Sequence, residues 1–153
     1  MIIRKAEEKD FEQVLDLQLE LERTECRFDS NLIEGCYNTK EGNKQLKERI
    51  KNKNQIFLLA ENDNRIIGFI DGRIMDEAIW YKEMVGILEH VCVGKEYRNK
   101  GVATLLIKKF EEEIRKIGAK YIQILAFLDN EPARNLYKKQ GYEEYSVYYS
   151  KKI

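Results

Sequence analysis

Residues Val93 to Thr104 (VGKEYRNKGVAT) connect an apolar, strand-like run to a strongly amphipathic helical one. A helix that starts there presents unpaired backbone N–H groups and a partial positive charge, which together attract an anion such as phosphate. Gly101 lets a ligand approach the backbone, Ala103 keeps the first turn uncluttered, and Arg98 and Lys100 add cations for phosphate oxygens. The segment is neither a GxxxxGK[ST] loop nor a GxGxxG turn. Spacing alone leaves an ordinary strand–helix connection equally open. Farther on, Asn130, Ala133 and Tyr137 recur at i, i+3 and i+7 and so share one helix face. The Tyr137 phenol can act there as a general acid or pack as a core aromatic. Glu89 and His90 are neighbours within a strand-like run, where alternation predicts side chains on opposite faces. Either could take a proton if it faces a cleft; otherwise each is a salt-bridged or packed strand residue.

The composition bounds what such groups can serve. With 153 residues the chain is expected to form one domain, spanning 1–153, with a core of its own. Its 27 basic residues balance 27 acidic ones, which argues against a dedicated nucleic-acid binder. A charged fraction of 35% beside 43% hydrophobic residues is that of a folded protein, and one proline with nine glycines leaves little for a linker. No 18-residue apolar run is present, so no membrane span is expected. The N-terminus MIIRKAEEKD turns charged too early for a secretory signal. Cys26, Cys36 and Cys92 are odd in number and lack CxxC spacing. A disulfide framework or a zinc site is not expected, and three free thiols fit a reducing, cytoplasmic setting.

The elements that must position these groups read as follows. Met1–Lys5 is a short strand. Asp10 is placed as an N-cap with Gln13 completing a capping box, and Phe11, Val14, Leu15, Gln18 and Leu21 form one helix face. Residues 30–43 read as a loop or broken helix and Lys44–Lys51 as a short helix. Gln55–Ala60 and Arg65–Met75 form a hairpin around Asn62-Asp63-Asn64. Val85–Val93 is a third strand of this half. Val102–Ile117 is the clearest helix, with a stripe of Val102, Leu106, Phe110, Ile114 and Ile117 closed by Gly118. Tyr121–Leu128 reads as a buried strand. Asn130–Gln140 is a helix with Pro132 in its first turn, stopped by Gly141, and Tyr142–Ile153 is strand-like. This order predicts an α/β (α+β mixed) fold, a mixed sheet with helices on both faces.

Arg98-x-x-Gly101-x-Ala103 after a strand resembles the Arg/Gln-x-x-Gly-x-Gly/Ala motif of the GNAT-type N-acetyltransferases. Asn130-x-x-Ala133-x-x-Leu136-Tyr137-x-x-x-Gly141-Tyr142 resembles that family's second acetyl-CoA motif. The element order matches from Ile2 to at least Tyr142. The resemblance implies a mostly antiparallel sheet with a V-shaped splay, acetyl-CoA as co-substrate, no metal, and acetyl transfer to an amine. It also implies that backbone amides from Arg98 through Thr104, with Asn99, Lys100 and Val102 among them, cradle the pyrophosphate. The strand ending at Val91-Cys92-Val93 would pair with the pantetheine arm and offer an N–H to the oxyanion. Asn130 would contact the same arm, with Ala133 leaving it room and Tyr137 protonating the departing CoA thiolate. Several relatives carry an acidic residue where Glu89 stands, which makes Glu89 the candidate base, acting directly or through water, with His90 as the alternative. Cys92 beside an acyl donor raises a ping-pong route, but no second histidine exists to activate it. Core packing and direct transfer in a ternary complex are expected.

Charge is uneven along the chain. Glu7–Glu25 carries eight acidic against two basic side chains, and Lys95–Lys120 eight basic against four acidic. The basic stretch suits anionic CoA. The acidic stretch, which borders the acceptor cleft in the resembled fold, suits a small-molecule cationic amine or a peptide N-terminus. Tyr142, Tyr145, Tyr148 and Tyr149 make the end unusually aromatic, and only 12 residues follow Gly141. They could line the acceptor cleft, form the contact of a homodimer, or fill the core. Two other classes stay open: a non-catalytic acyl-CoA sensor on the same fold, and a nucleotide-phosphate binder that uses the helix N-terminus alone.

Overall fold

The computed structural model describes residues 1–75 and 81–153. Strands β1 (Ile2–Lys5), β2 (Gln55–Asn62), β3 (Arg65–Ile74), β4 (Val85–Val93) and β5 (Tyr121–Ile124) form one sheet in that spatial order. The first three pairings are antiparallel and β4–β5 is parallel, as expected for a mixed, mostly antiparallel sheet. The hairpin turns at Asp63 and Asn64, both with positive φ, a conformation that short polar side chains tolerate.

Helices α1 (Phe11–Glu25) and α2 (Lys40–Lys51) cover one face, where Phe11, Val14, Leu17, Leu46 and Ile50 pack on Phe57, Leu59, Phe69 and Cys92. The opposite face is covered by α3 (Val102–Ile117) and α4 (Glu131–Lys139). There Leu106, Ile107, Phe110, Ile114 and Tyr137 meet Leu58, Ile70, Leu88 and Val93. Such burial is the main favourable term in folding, each large apolar side chain contributing about 1.5–3 kcal/mol.

Several sequence expectations give way to tertiary context. No capping box forms at Asp10–Gln13. The Asp10 carboxylate accepts from the Glu7 N–H and pairs with Arg4, while the Gln13 amide oxygen accepts from the Ile66 N–H. α2 starts at Lys40 rather than Lys44, with the Thr39 hydroxyl accepting from the Gly42 N–H. Gly42 reads as a loop residue, yet a Cβ there would lie 2.2 Å from the Cys36 carbonyl oxygen, so glycine permits the helix to sit on that turn. Ile117 is 50% exposed and lies outside the stripe. β5 ends at Ile124, not Leu128, and Leu125 and Leu128 are exposed. The tail from Tyr142 carries no regular structure and does not form the expected strand; Tyr142 itself packs against the core. Tyr145, Tyr148 and Tyr149 face outward.

β4 and β5 pair only from Val85–Leu88 against Tyr121–Ile124. Beyond Leu88 the strands part, and β4 continues to Val93 paired, among the described residues, on one side only, with β3. This is the V-shaped opening in the sheet. No helix among the described residues is long and apolar enough to cross a membrane.

Candidate active site

The opening is bounded by three elements whose chemistry differs. At its base, the turn from Gly94 to Gly101 delivers the chain to α3. Gly101 is the helix N-cap with φ of +80°, and no side chain caps the helix. A Cβ at Gly101 would meet nothing within 4 Å, so the positive φ is what calls for glycine, and the space above it is open. The first N–H of this stretch with an acceptor is that of Leu105, which donates to the Gly101 carbonyl. The N–H groups of Asn99 through Thr104 find no acceptor among the described residues, a cradle suited to an anion. The Arg98 side chain is not part of the cradle. Its Nε donates to the Val93 carbonyl (2.9 Å) and its guanidinium pairs with Glu20 (2.6 Å), locking the turn to the end of β4 and to α1. Lys100 is exposed, its Nζ 5.5 Å from the Tyr97 ring centroid.

On the second wall, the Asn130 side chain caps α4 by accepting from the Ala133 N–H, so it serves the helix whatever else it touches. Tyr137 is 9% exposed and packs in the core beside Tyr142, ring centroids 6.0 Å apart. Its hydroxyl has no hydrogen-bond partner among the described residues. Burial, and secondarily the Glu25 carboxylate, push the phenol well above its ordinary pKa, so it stays protonated through the neutral range.

The third wall is β4, and here strand alternation fails. Asp71 pairs with His90 but Gly72 pairs with Leu88, so Glu89 is the extra residue of a β-bulge. The expectation that Glu89 and His90 point to opposite faces is therefore corrected. The bulge brings both into one cluster with Asp71, with ligand-type atoms within 4.8 Å of one another. Asp71 is fully buried. Its Oδ1 lies 3.0 Å from His90 Nδ1, and its Oδ2 accepts from Arg49 (2.8 and 3.1 Å) and from Gln55 (3.0 Å). Glu89 accepts from Arg73 (3.0 Å) and Gln55 (2.6 Å). Two guanidiniums and the Gln55 amide already engage these carboxylates, which leaves this set a poor cation site. Desolvation alone would raise the Asp71 carboxyl, but the hydrogen bond from His90 and the charge of Arg49 outweigh it and hold the group below its ordinary value. Arg49 also donates to Gln18 and to the Tyr37 hydroxyl, tying α1 and the turn before α2 into the same network.

Sequence reasoning missed Arg49, Asp71, Gln55 and Glu25. The legible signals were polar residues at core positions: Asp71 inside the apolar run RIIGFIDGRIM and Gln18, only 2% exposed, inside the apolar face of α1. Glu25, in the last turn of α1, is partly buried, and desolvation raises its carboxyl while the charge of Arg49 acts against that rise. Three residues on, Phe28 stacks on Phe127 after β5, so the end of α1 bridges the mouth of the opening. Cys92 is 3% exposed and its thiol, pushed up to about 12 by burial, donates to the Leu17 carbonyl. It is the inert, packed cysteine expected.

Residues 11–142 match the Acetyltransferase (GNAT) family. The chain belongs to the GNAT acetyltransferase family. It is 30% identical over 113 residues to aminoglycoside N(6′)-acetyltransferase type 1 of Acinetobacter haemolyticus, covering 71% of this chain and 78% of that one. It is 28% identical over 106 residues to an N-alpha-acetyltransferase of Sulfurisphaera tokodaii, covering 65% of this chain and 64% of the relative. A crystal structure of an aminoglycoside N-acetyltransferase in complex with CoA superposes with a TM-score of 0.75 at 19% identity, covering 99% of this chain and 100% of the other, and shares the fold. As a GNAT protein the chain is an acyltransferase by class, and acetyl-CoA is the family's acyl donor.

Proposed function

We propose that this GNAT protein transfers acetyl from acetyl-CoA directly to the primary amine of a small cationic molecule or a peptide N-terminus. The observation that carries the reading is the one-sided pairing of β4 beyond Leu88, flanked by the amides of residues 99–104 and the Tyr137 hydroxyl, all without partners among the described residues. Those amides hold the CoA pyrophosphate, chiefly through backbone N–H groups because Arg98 is engaged elsewhere. The open edge of Val91, Cys92 and Val93 pairs with the pantetheine arm and supplies an oxyanion donor. Ala133, on the face of α4 shared with Asn130 and Tyr137, leaves the arm room. Tyr137 gives its proton to the CoA thiolate. The β4 bulge, with Glu89 and His90, supplies the base, since an ammonium has no lone pair. The chain is proposed to act as a single unit over residues 1–153, without a metal.

The acceptor reading rests on the acidic α1. Glu25, in the last turn of α1, is the acidic residue whose charge helps keep the Tyr137 phenol protonated, and the two relatives named above carry the names of an aminoglycoside N(6′)-acetyltransferase and an N-alpha-acetyltransferase. CoA-thiol release from acetyl-CoA, followed over a panel of polyamines, aminoglycosides, amino acids and short peptides, tests the reading. Release that depends on a cationic amine is expected, with KM for that amine rising several-fold as salt goes from about 0.01 to 0.15 M, where screening sets in. A salt-independent KM would remove the electrostatic basis for the acceptor class. Acetyl-CoA binding without turnover on any amine would favour a sensor on the same fold.

A further inference from the structure

We infer that His90, oriented by Asp71, is the general base that deprotonates the acceptor amine, with Arg49 as a second positioning residue. The inference rests on the acetyl-transfer reading and assigns the base within it. The bulge at Glu89 is what makes the assignment, because it brings His90 beside Asp71, within reach of Arg49 on α2.

Glu89 is committed elsewhere: one oxygen takes the Arg73 Nε–H and the other the Gln55 amide. A proton accepted there would neutralise the carboxylate that the Arg73 guanidinium pairs with. The imidazole is placed differently. Its Nδ1 stands 3.0 Å from Asp71 Oδ1, a carboxylate with no exposure of its own and held ionised by its surroundings. A carboxylate in that position fixes the hydrogen on Nδ1 and leaves Nε2 as the lone-pair nitrogen. Nε2 has no partner among the described residues, and the side chain keeps 25% of its exposure. Arg49 Nη2 also lies 3.0 Å from Nδ1, but its stronger commitment is to Asp71 Oδ2 at 2.8 Å, so it anchors the carboxylate that orients the ring. The charged groups around the imidazole are Asp71 on β3, Arg49 on α2, Glu89 on β4 and Glu25 on α1, with the neutral Gln18, Tyr37 and Gln55 linking them. The Glu89 charge is matched by Arg73 and that of Asp71 by Arg49, so each strand carboxylate beside the imidazole has its own guanidinium.

The step balances. One N–H proton of the acceptor ammonium passes to Nε2, and the freed lone pair attacks the thioester carbonyl carbon. The C–S bond then breaks, and Tyr137 donates to the thiolate. The second proton of the attacking nitrogen replaces the one Tyr137 gave up. His90 returns its proton to solvent, so one proton leaves per acetyl group transferred.

His90 is the sole histidine of the chain, so its imidazole can be observed by 15N NMR in the untagged protein without assignment by mutation. The Nδ1–H tautomer, with a bare Nε2, is expected at neutral pH. The Nε2–H tautomer, with Nδ1 accepting from Arg49, would overturn the inference whether or not an acceptor is in hand. The second arm is the pH profile of kcat/KM for the amine found above. In wild type its acidic limb should follow the NMR titration of His90. His90→Gln should lower kcat/KM on the order of 10²-fold or more and abolish that limb, with acetyl-CoA affinity retained as the check on folding. Asp71→Asn should shift the limb and change the tautomer population, a readout that a purely structural role would not move. A His90→Gln protein that keeps both rate and limb would overturn the inference while leaving acetyl transfer intact. Absence of turnover in wild type would count against the function instead.

Discussion

Tyr137→Phe is expected to reduce kcat on the order of 10²-fold while leaving the acetyl-CoA dissociation constant within about twofold of wild type. The substitution removes one oxygen and keeps the ring, so the packing against Tyr142 and the core survives. Because the hydroxyl has no partner among the described residues, its loss strands no buried donor or acceptor and costs little stability. What it removes is a proton held at neutral pH by burial and by the Glu25 carboxylate, placed on the face of α4 that Asn130 and Ala133 share. A thiolate that must leave unprotonated, or draw its proton from water, raises the barrier by roughly 2.7 kcal/mol for a hundredfold loss. Steady-state kinetics beside direct acetyl-CoA titration separates the two quantities. A fall in affinity equal to the fall in kcat/KM would make Tyr137 a binding residue; unchanged kinetics would make it core alone.

Asp71→Ala is expected to be the most damaging change to stability in the site, about 3–5 kcal/mol, since it leaves Arg49 largely buried without its carboxylate. The same residue fixes a pH dependence. Its pKa in the folded protein lies below the unfolded value, so its contribution is complete above the ordinary carboxylate pKa of about 4 and is lost as pH falls through the lower folded value. Thermal unfolding of the wild type should therefore weaken below about pH 4, and Asp71→Asn should flatten that acid branch. A variant as stable as wild type at neutral pH, with the same acid branch, would mean that the Asp71–Arg49–His90 network does not hold the sheet face to α2.

β4, α3 and the Asn62–Asn64 turn were legible because local preference and packing agree there. The apolar run Val85–Val93 is a strand over its whole length, and the stripe through Val102, Leu106, Phe110 and Ile114 is buried along α3. α4 was legible for the same reason, with Asn130 as cap and Pro132 in the first turn. The misses share a cause, namely that the deciding partner is remote in sequence. Strand alternation assigns Glu89 and His90 to opposite faces, and only the register against Asp71 and Gly72 shows the bulge that unites them. Gln13 matches a capping pattern but is drawn to the Ile66 N–H 53 positions away. Residues 125–128 are apolar enough for a strand, yet β5 parts from β4 at Ile124. The helix start at Gly101 was legible, but the engagement of Arg98 with Val93 and Glu20 was not, because nothing local marks Glu20 as its partner.

Direct transfer is tested most plainly by a single turnover with acetyl-CoA carrying an isotopic label in the acetyl group. Enzyme and labelled acetyl-CoA are mixed first without, then with, the acceptor amine, and both protein and amine are examined by mass spectrometry. The thiol of Cys92 is buried and pushed up to about 12, so no labelled protein is expected before the amine is added. After addition, one labelled acetyl group should appear on the amine nitrogen for each CoA thiol released. Label on the protein that chases into the amine would contradict direct attack, and acetyl-CoA recovered intact with every amine would contradict acetyl transfer itself.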